Sequence, residues 1–307
     1  MATLRDIRNR ISGVRSIEKI TSAMKMVSSI KAHRAQKIAE NARPYHKDIE
    51  EMLRDLLKSQ TDYTNPLLAP AKEHQTKNPA SKHGINNVVI VIVAGDKGMC
   101  GAFNNNLFKI VDTYLHKDFK DLYPEAIPHL ILIGNKAIEH YKKMHYKIIA
   151  QFEQVFSNLQ FSLVEKIRDL FLTKFLLGEV DRVELYYNKF VNVMKQVPTN
   201  NQLLPILFEK NEEEKSKHNS TSDYIYEPDK ETILDSLINQ YLDLSTWKPI
   251  LESNAAEQAA RLIAMDKATQ NAQDLIKELE LQYNNARQAA ITTEMLEIVG
   301  GAEALKK

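Results

Sequence analysis

Apolar residues near the start of the chain fall at Leu4, Ile7, Ile11, Val14, Ile17, Ile20, Met24, Val27 and Ile30, in steps of three and four. That spacing predicts one helical stripe rather than strand alternation. No Gly or Pro occurs from Val14 to Arg43; Gly13 is tolerated, and Pro44 is expected to bend or interrupt the helix before DIEEMLRDLLKS resumes it. The far end is more extreme, with no breaker between Pro249 and Gly300. There Ala268, Ala272, Leu275, Leu279, Tyr283, Ala286, Ala290, Thr293 and Leu296 follow a near-heptad seam of largely small residues, which lets two helix backbones approach closely. A helix of that length needs a partner along its stripe.

Between these ends the pattern changes. Thr61–Asn87, with Pro66, Pro70, Pro79 and Gly84, reads as a loop. INNVVIVIVAG, ending at Gly95, reads as a buried strand, followed by the turn GDKGMCGAFNNN and the helix LFKIVDTYLHKDF. HLILIGNKAIEHYKK repeats strand, turn and helix. Leu159–Leu177 is expected to be a helix, and Asp181–Tyr187, Val191–Val197 and Leu203–Phe208 strands. The alternation predicts a small α/β sheet with helices packed on it. Residues 209–222 form a polar excursion.

Nine Gly and ten Pro in 307 residues are few, which fits long helices rather than many tight turns. Net charge is only +1, yet residues 1–58 carry +6 and residues 249–307 carry −3. Opposite charge and matching stripes together predict that the two ends form an antiparallel coiled coil. The Arg-rich start MATLRDIRNRISGVRS has the look of a mitochondrial transit peptide, but Asp6 interrupts its cationic face and the apolar period continues past residue 16, so it reads as structure. A single Cys excludes an internal disulfide framework and a Cys-based zinc site.

No catalytic constellation stands out. Gly95–Gly101 follows a strand and precedes a helix, the setting of an anion cradle. It fits neither GxxxxGK[ST] nor GxGxxG, so a tight strand-to-helix turn is the favoured reading. Cys100 has no His at a nucleophile's spacing, and His129, His140 and His145 form no metal-ligand pattern, so no metal or cofactor is expected. The basic N-terminal stretch lacks interleaved aromatics, which weakens a nucleic-acid-binding scaffold, and the missing phosphate motif weakens a small α/β enzyme.

Three stretches, IRNRISGVRSIEKITSAMKMVSS, GDKGMCGAFN and EQAARLIAMDKATQNAQDLIKELELQYNNARQAAITTEMLEIVGGAEAL, together with YEPD at Tyr226–Asp229, closely resemble the gamma subunit family of the F-type ATP synthase. The resemblance spans the whole chain. It implies an α/β fold with long N- and C-terminal helices in an antiparallel coiled coil and a central Rossmann-like α/β domain. The division would be 1–58 for the first helix, 59–228 for the foot domain with its loops 61–87 and 209–222, and 229–307 for the last helix. It further implies a non-catalytic rotor, one copy per complex, inside a hexamer of alpha and beta subunits, with epsilon and a c-ring at the foot and membrane association only through the complex. Arg287 and Gln288 match the pair that grips a beta-subunit loop, Met24 matches a position facing the acidic lever of a beta subunit, and Arg261 lies near that level. Tyr224 and Glu227 match foot residues that touch the c-ring. The resemblance implies the cytoplasmic face of a bacterial inner membrane, or alternatively the matrix side of the mitochondrial one. No nucleic acid partner is expected.

Overall fold

The computed structural model describes residues 3–59, 63–68, 85–207, 227 and 229–304. Two helices bracket the chain, α1 (Leu4–Ser59) and α6 (Lys230–Ala304). Between them come β1 (Asn87–Val93), α2 (Phe103–Thr113), a π-helical turn (Tyr114–Asp118), α3 (Phe119–Leu122) and β2 (Ile127–Ile133). There follow α4 (Asn135–Tyr141), β3 (Lys147–Phe152), a 3-10 turn (Val155–Ser157), α5 (Ser162–Leu176), β4 (Arg182–Asn192) and β5 (Lys195–Leu204). The chain separates into two compact units, one of residues 1–30 with 261–307 and one of residues 31–260.

Both long helices start on side-chain caps. Thr3 and Asp6 cap each other reciprocally at the head of α1: the Thr3 Oγ1 accepts the Asp6 N–H at 3.2 Å, and the Asp6 carboxylate accepts the Thr3 N–H at 3.0 Å. These hydrogen bonds hold the Asp6 carboxyl below the usual carboxylate range. Asp229, the last residue of YEPD, accepts the N–H of Thr232 at 2.9 Å and so caps α6.

In the larger unit, the five strands lie in the order β3-β2-β1-β4-β5. The first four are parallel and β5 runs antiparallel to β4. Val88 to Val93 are wholly buried because helices cover both faces of β1. Val88, Ile90 and Ile92 pack with Leu107, Phe108, Val111, Ile138 and Tyr141 of α2 and α4. Val89, Val91 and Val93 pack in the opposite cluster, with Ile167, Phe171 and Phe175 of α5, Leu53 and Leu56 of α1, and Leu234, Ile238, Leu242 and Ile250 of α6.

The structure changes several expected boundaries. Pro44 does not break its helix, since α1 passes straight through it, as α6, starting at Lys230, passes through Pro249. An interior proline costs about 3 kcal/mol or more, but burial continues in phase on both sides. Leu234, Ile238, Leu242, Thr246 and Ile250 form an unbroken fully buried i, i+4 row, and Ala39, His46, Ile49 and Leu53 keep one buried face around Pro44 in steps of seven, three and four. The strand expected at Val191–Val197 instead straddles a hairpin turn. Asn192 Oδ1 accepts the N–H groups of Met194 (2.9 Å) and Lys195 (2.8 Å), reversing the chain between β4 and β5. Leu203 and Leu204 end β5 rather than start a new strand, and Ile206 bridges to Leu68 inside the expected loop 61–87. β3 was not anticipated. The excursion at 209–222 lies outside the described residues.

Candidate functional site

In the smaller unit the first part of α1 and the last part of α6 run antiparallel. Arg15 pairs with Glu280 (2.6 Å), Glu18 accepts from Gln273 (3.1 Å), the hydroxyls of Thr21 and Thr269 lie 2.9 Å apart, and Lys25 pairs with Asp266 (2.5 Å). Partner numbers fall as those of α1 rise, and each ion pair sets a base of α1 against an acid of α6, as the charge asymmetry predicts. Exposed pairs of this kind contribute about 0–1 kcal/mol each. The holding force is the seam, in which Ile7, Ile11 and Val14 meet Ala272, Leu275, Ile276, Leu279 and Tyr283.

The expected stripe on α1 follows this seam only as far as Val14. Beyond it the buried positions are Thr21 and Ser28, which keep the seven-residue spacing from Val14, while Ile17, Ile20, Val27 and Ile30 are exposed. The 3+3 steps from Val14 to Ile20 turn the apolar row about 120° off the seam, at about 100° per residue. The helix therefore carries an apolar face away from its partner, and small or polar residues occupy the close contact.

On α6 the seam holds through Ala290. From Ile291 to Ala302 every residue is exposed, including Met295, Leu296, Ile298 and Val299. The cross-pairs put Leu4 level with residues near 287–290, so this stretch continues past the capped start of α1 as a single helix with an apolar surface.

Among the expected site residues, Arg287 and Gln288 are exposed at the base of this free end. Met24 is half-buried beside the seam, about 30 Å further down the pair at 1.5 Å per residue. Arg261 is buried, at 7 % exposure. Glu227 is exposed, just ahead of the Asp229 cap in the larger unit. Tyr224 lies outside the described residues. Arg287, Gln288 and Met24 thus all belong to the helix pair of the smaller unit, and Glu227 belongs to the larger unit. Sequence reasoning missed the outward apolar face of Ile17, Ile20 and Val27, whose signal was the departure of those positions from the heptad.

The alternative site, Gly95–Gly101, is a built turn. Strand order reverses between β1 and β4, the position where open α/β sheets bind ligands. Here the crevice is filled by the chain itself. Asn104 Oδ1 accepts the Gly95 N–H (3.0 Å), and Asn104 Nδ2 contacts Cys100 Sγ (3.3 Å). The Asp96 carboxylate accepts the N–H groups of Phe156 (2.8 Å) and Asn135 (3.3 Å). Glu257 of α6 closes the space so tightly that a Cβ on Gly95 would sit 2.8 Å from its Cδ. A phosphate entering there meets a carboxylate. His140 is tied to Asp112 (3.0 Å) and stacked on Phe108, and His129 contacts Asn87 (3.0 Å). Among the described residues no three His, Cys, Asp or Glu side chains are grouped to hold a metal ion, and no helix is long and apolar enough to cross a membrane.

Comparison with known proteins agrees with this architecture. The family model described as ATP synthase matches residues 3–305. The ATP synthase gamma chain of Chlorobium chlorochromatii is 43 % identical over 305 residues, covering 99 % of each chain. That of Chlorobaculum tepidum is 43 % identical over 307 residues, covering 100 % of each. Among solved structures, a chain of the Euglena gracilis mitochondrial ATP synthase (OSCP/F1/c-ring) superposes with a TM-score of 0.61 at 19 % identity, over 98 % of this chain and 94 % of that one. A chain of the Tetrahymena thermophila mitochondrial ATP synthase central stalk/c-ring gives 0.56 at 21 % identity, over 81 % and 99 %. The structural likeness extends the shared fold to distant relatives, and the full-length sequence identity places this chain in the ATP synthase gamma chain family.

Proposed function

We infer that this chain is the central rotor shaft of an F-type ATP synthase, coupling ion flow through a c-ring to ATP synthesis or hydrolysis at the beta subunits by rotation. The observation that carries the reading is the helix pair with its free apolar end. An antiparallel pair locked by a seam and cross-pairs is a stiff rod, and exposed apolar residues on one continuous helix end suit an enclosing bearing. One copy fills the axis of the alpha–beta hexamer. Each beta subunit then takes the conformation favoured by the face of the shaft it meets, so turning the shaft moves it through its states.

The chain itself is not catalytic in this reading; the crevice where the strand order reverses, between β1 and β4, is closed by Glu257. Arg287 and Gln288 meet a beta-subunit loop. An exposed guanidinium suits this, being able to grip a carboxylate at two points. Met24 faces a beta subunit's acidic lever, while Arg261, at the same general level, acts mainly through the shaft because it is buried. Tyr224 and Glu227 belong to the foot surface on the c-ring, beside epsilon. The bacterial relatives support the cytoplasmic face of a bacterial inner membrane, reached through the complex.

Recovery of the chain from its own cells in mild detergent, followed by native mass spectrometry, tests the reading. One copy with three alpha–beta pairs and ATPase activity is expected. A homo-oligomer, or nucleic acid without those subunits, would overturn it.

A further inference from the structure

Where α6 crosses the sheet of the larger unit, its covered face combines small and charged residues. Ala255, Ala256 and Ala259 pack with Ala35, Cys100, Phe103 and Phe190, bringing the helix close. Among them lie Glu252, Ser253 and Glu257, all at most 2 % exposed. An alanine surface has little relief, and the repeat Ala255–Ala259 presents nearly the same surface after one turn of helix. The alanines alone therefore distinguish poorly between neighbouring registers of α6 at this level, the large side chains that anchor the helix, Leu234 to Ile250, lying further back along it.

The polar contacts do distinguish them. Ser253 Oγ donates to the Val93 carbonyl at the end of β1 (3.4 Å). The Arg43 guanidinium of α1 donates to the Phe190 carbonyl of β4 (3.4 Å) and lies 3.4 Å from Glu252 Oε1. One side chain thus ties α1, β4 and α6 together. A shift of α6 by one turn would put Ala256 opposite Arg43 and leave Glu252 buried without its cation, the costly outcome for a buried charge. Only the carboxylate is buried, the Arg43 side chain being 42 % exposed, and fixing register is the best-attested use of a buried polar group held by one partner.

We propose that Arg43 and Glu252 are positioning residues that lock the rotational and axial register of α6 on the α/β domain, so that a turn imposed on the domain reaches the helix without slip. This rests on the rotor reading. The contact is made inside the chain, needs no partner subunit, and touches neither the Arg287–Gln288 end nor the foot surface at Glu227.

The test uses assembled complex in inverted membrane vesicles, comparing wild type with Arg43→Ala, Glu252→Gln and the double variant. ATP hydrolysis and ATP-driven ion uptake are both measured per complex. Each single variant is expected to keep hydrolysis and lose ion uptake per ATP, with the double variant no worse than the worse single, because the two residues form one contact. Unchanged uptake per ATP in both singles overturns the proposal, as does a parallel fall in hydrolysis and uptake, which marks general structural damage. If Arg43→Ala prevents assembly, Arg43→Lys replaces it, keeping the charge but losing the guanidinium fork. Uptake per ATP between the wild-type and Glu252→Gln values supports the lock, and a wild-type value overturns it. Failure of wild-type vesicles to couple hydrolysis to ion uptake would instead count against the rotor reading itself.

Discussion

Gly134, between β2 and α4, is a position where a single methyl group should do severe damage. Its φ of +93° lies where side chains are rarely accommodated, and its own N–H donates to the Phe152 carbonyl of the neighbouring strand (2.9 Å). A Cβ there would lie 2.1 Å from the Ala94 carbonyl oxygen and 2.9 Å from the Ala94 carbonyl carbon. Both are backbone atoms at the end of β1, so relief requires separating the two central strands. Backbone strain of about 2 kcal/mol and a similar overpacking cost give about 4 kcal/mol for Gly134→Ala. For a unit of this size that corresponds to a fall of about 12 °C in melting temperature, at about 3 °C per kcal/mol. Thermal unfolding of the purified chain followed by circular dichroism reads this directly. Gly98→Ala is the control, since its Cβ would meet only Lys136 Cε at an ordinary 3.8 Å. A Gly134→Ala chain melting within about 2 °C of wild type would refute the reasoning, because not even 1 kcal/mol would then be lost.

Replacing Arg287 and Gln288 together with Ala should lower turnover of the assembled complex and leave the melting of the isolated chain unchanged, as both are exposed; unchanged turnover and torque would remove the pair from the beta-subunit contact. Glu227→Lys should impair ion-coupled activity more than ATP hydrolysis by the head, and equal loss of both would count against a c-ring contact. His46 is held below its ordinary value of 6.5, first by burial and then by Lys248, with Glu50 opposing. Its folded form resists a proton that the unfolded chain accepts, so its stabilising contribution is complete above pH 6.5 and is lost as pH falls toward the lower folded value. His46→Gln should therefore flatten the decline in stability from pH 7 to pH 5 in urea titrations, and an unaltered slope would show that His46 does not contribute to it.

Much of this architecture is written in local pattern. The long helices, the buried run of β1 and the charge asymmetry that becomes Arg15–Glu280 and Lys25–Asp266 follow from residue spacing and sign alone. Failures came where tertiary packing outweighs a local signal. Pro44 looks like a break until the buried positions on either side of it are known. Val191, Val193 and Val197 suggest a strand, but the Asn192 side chain turns the chain between them. β3 is short and only half-buried at the edge of the sheet, so its alternation is weak. The site is less legible than the fold, because Arg287, Gln288 and Glu227 are exposed charges and amides with no local signature. Only the family resemblance singles them out.

The antiparallel pairing also orders events in time. Residues 4–30 leave the ribosome first among those described, yet the residues that cover Ile7, Ile11 and Val14 begin at Ala272. The whole of the larger unit, residues 31–260, is made between them. At about 5–20 residues per second, those roughly 230 residues take about 12–46 s to synthesise. Throughout that interval the first seam is uncovered, and the α/β domain completes its own core only when Leu234 to Ile250 of α6 have been made. The nascent chain thus carries an open apolar strip at its head until its last helix emerges, and that interval is when it depends most on chaperones.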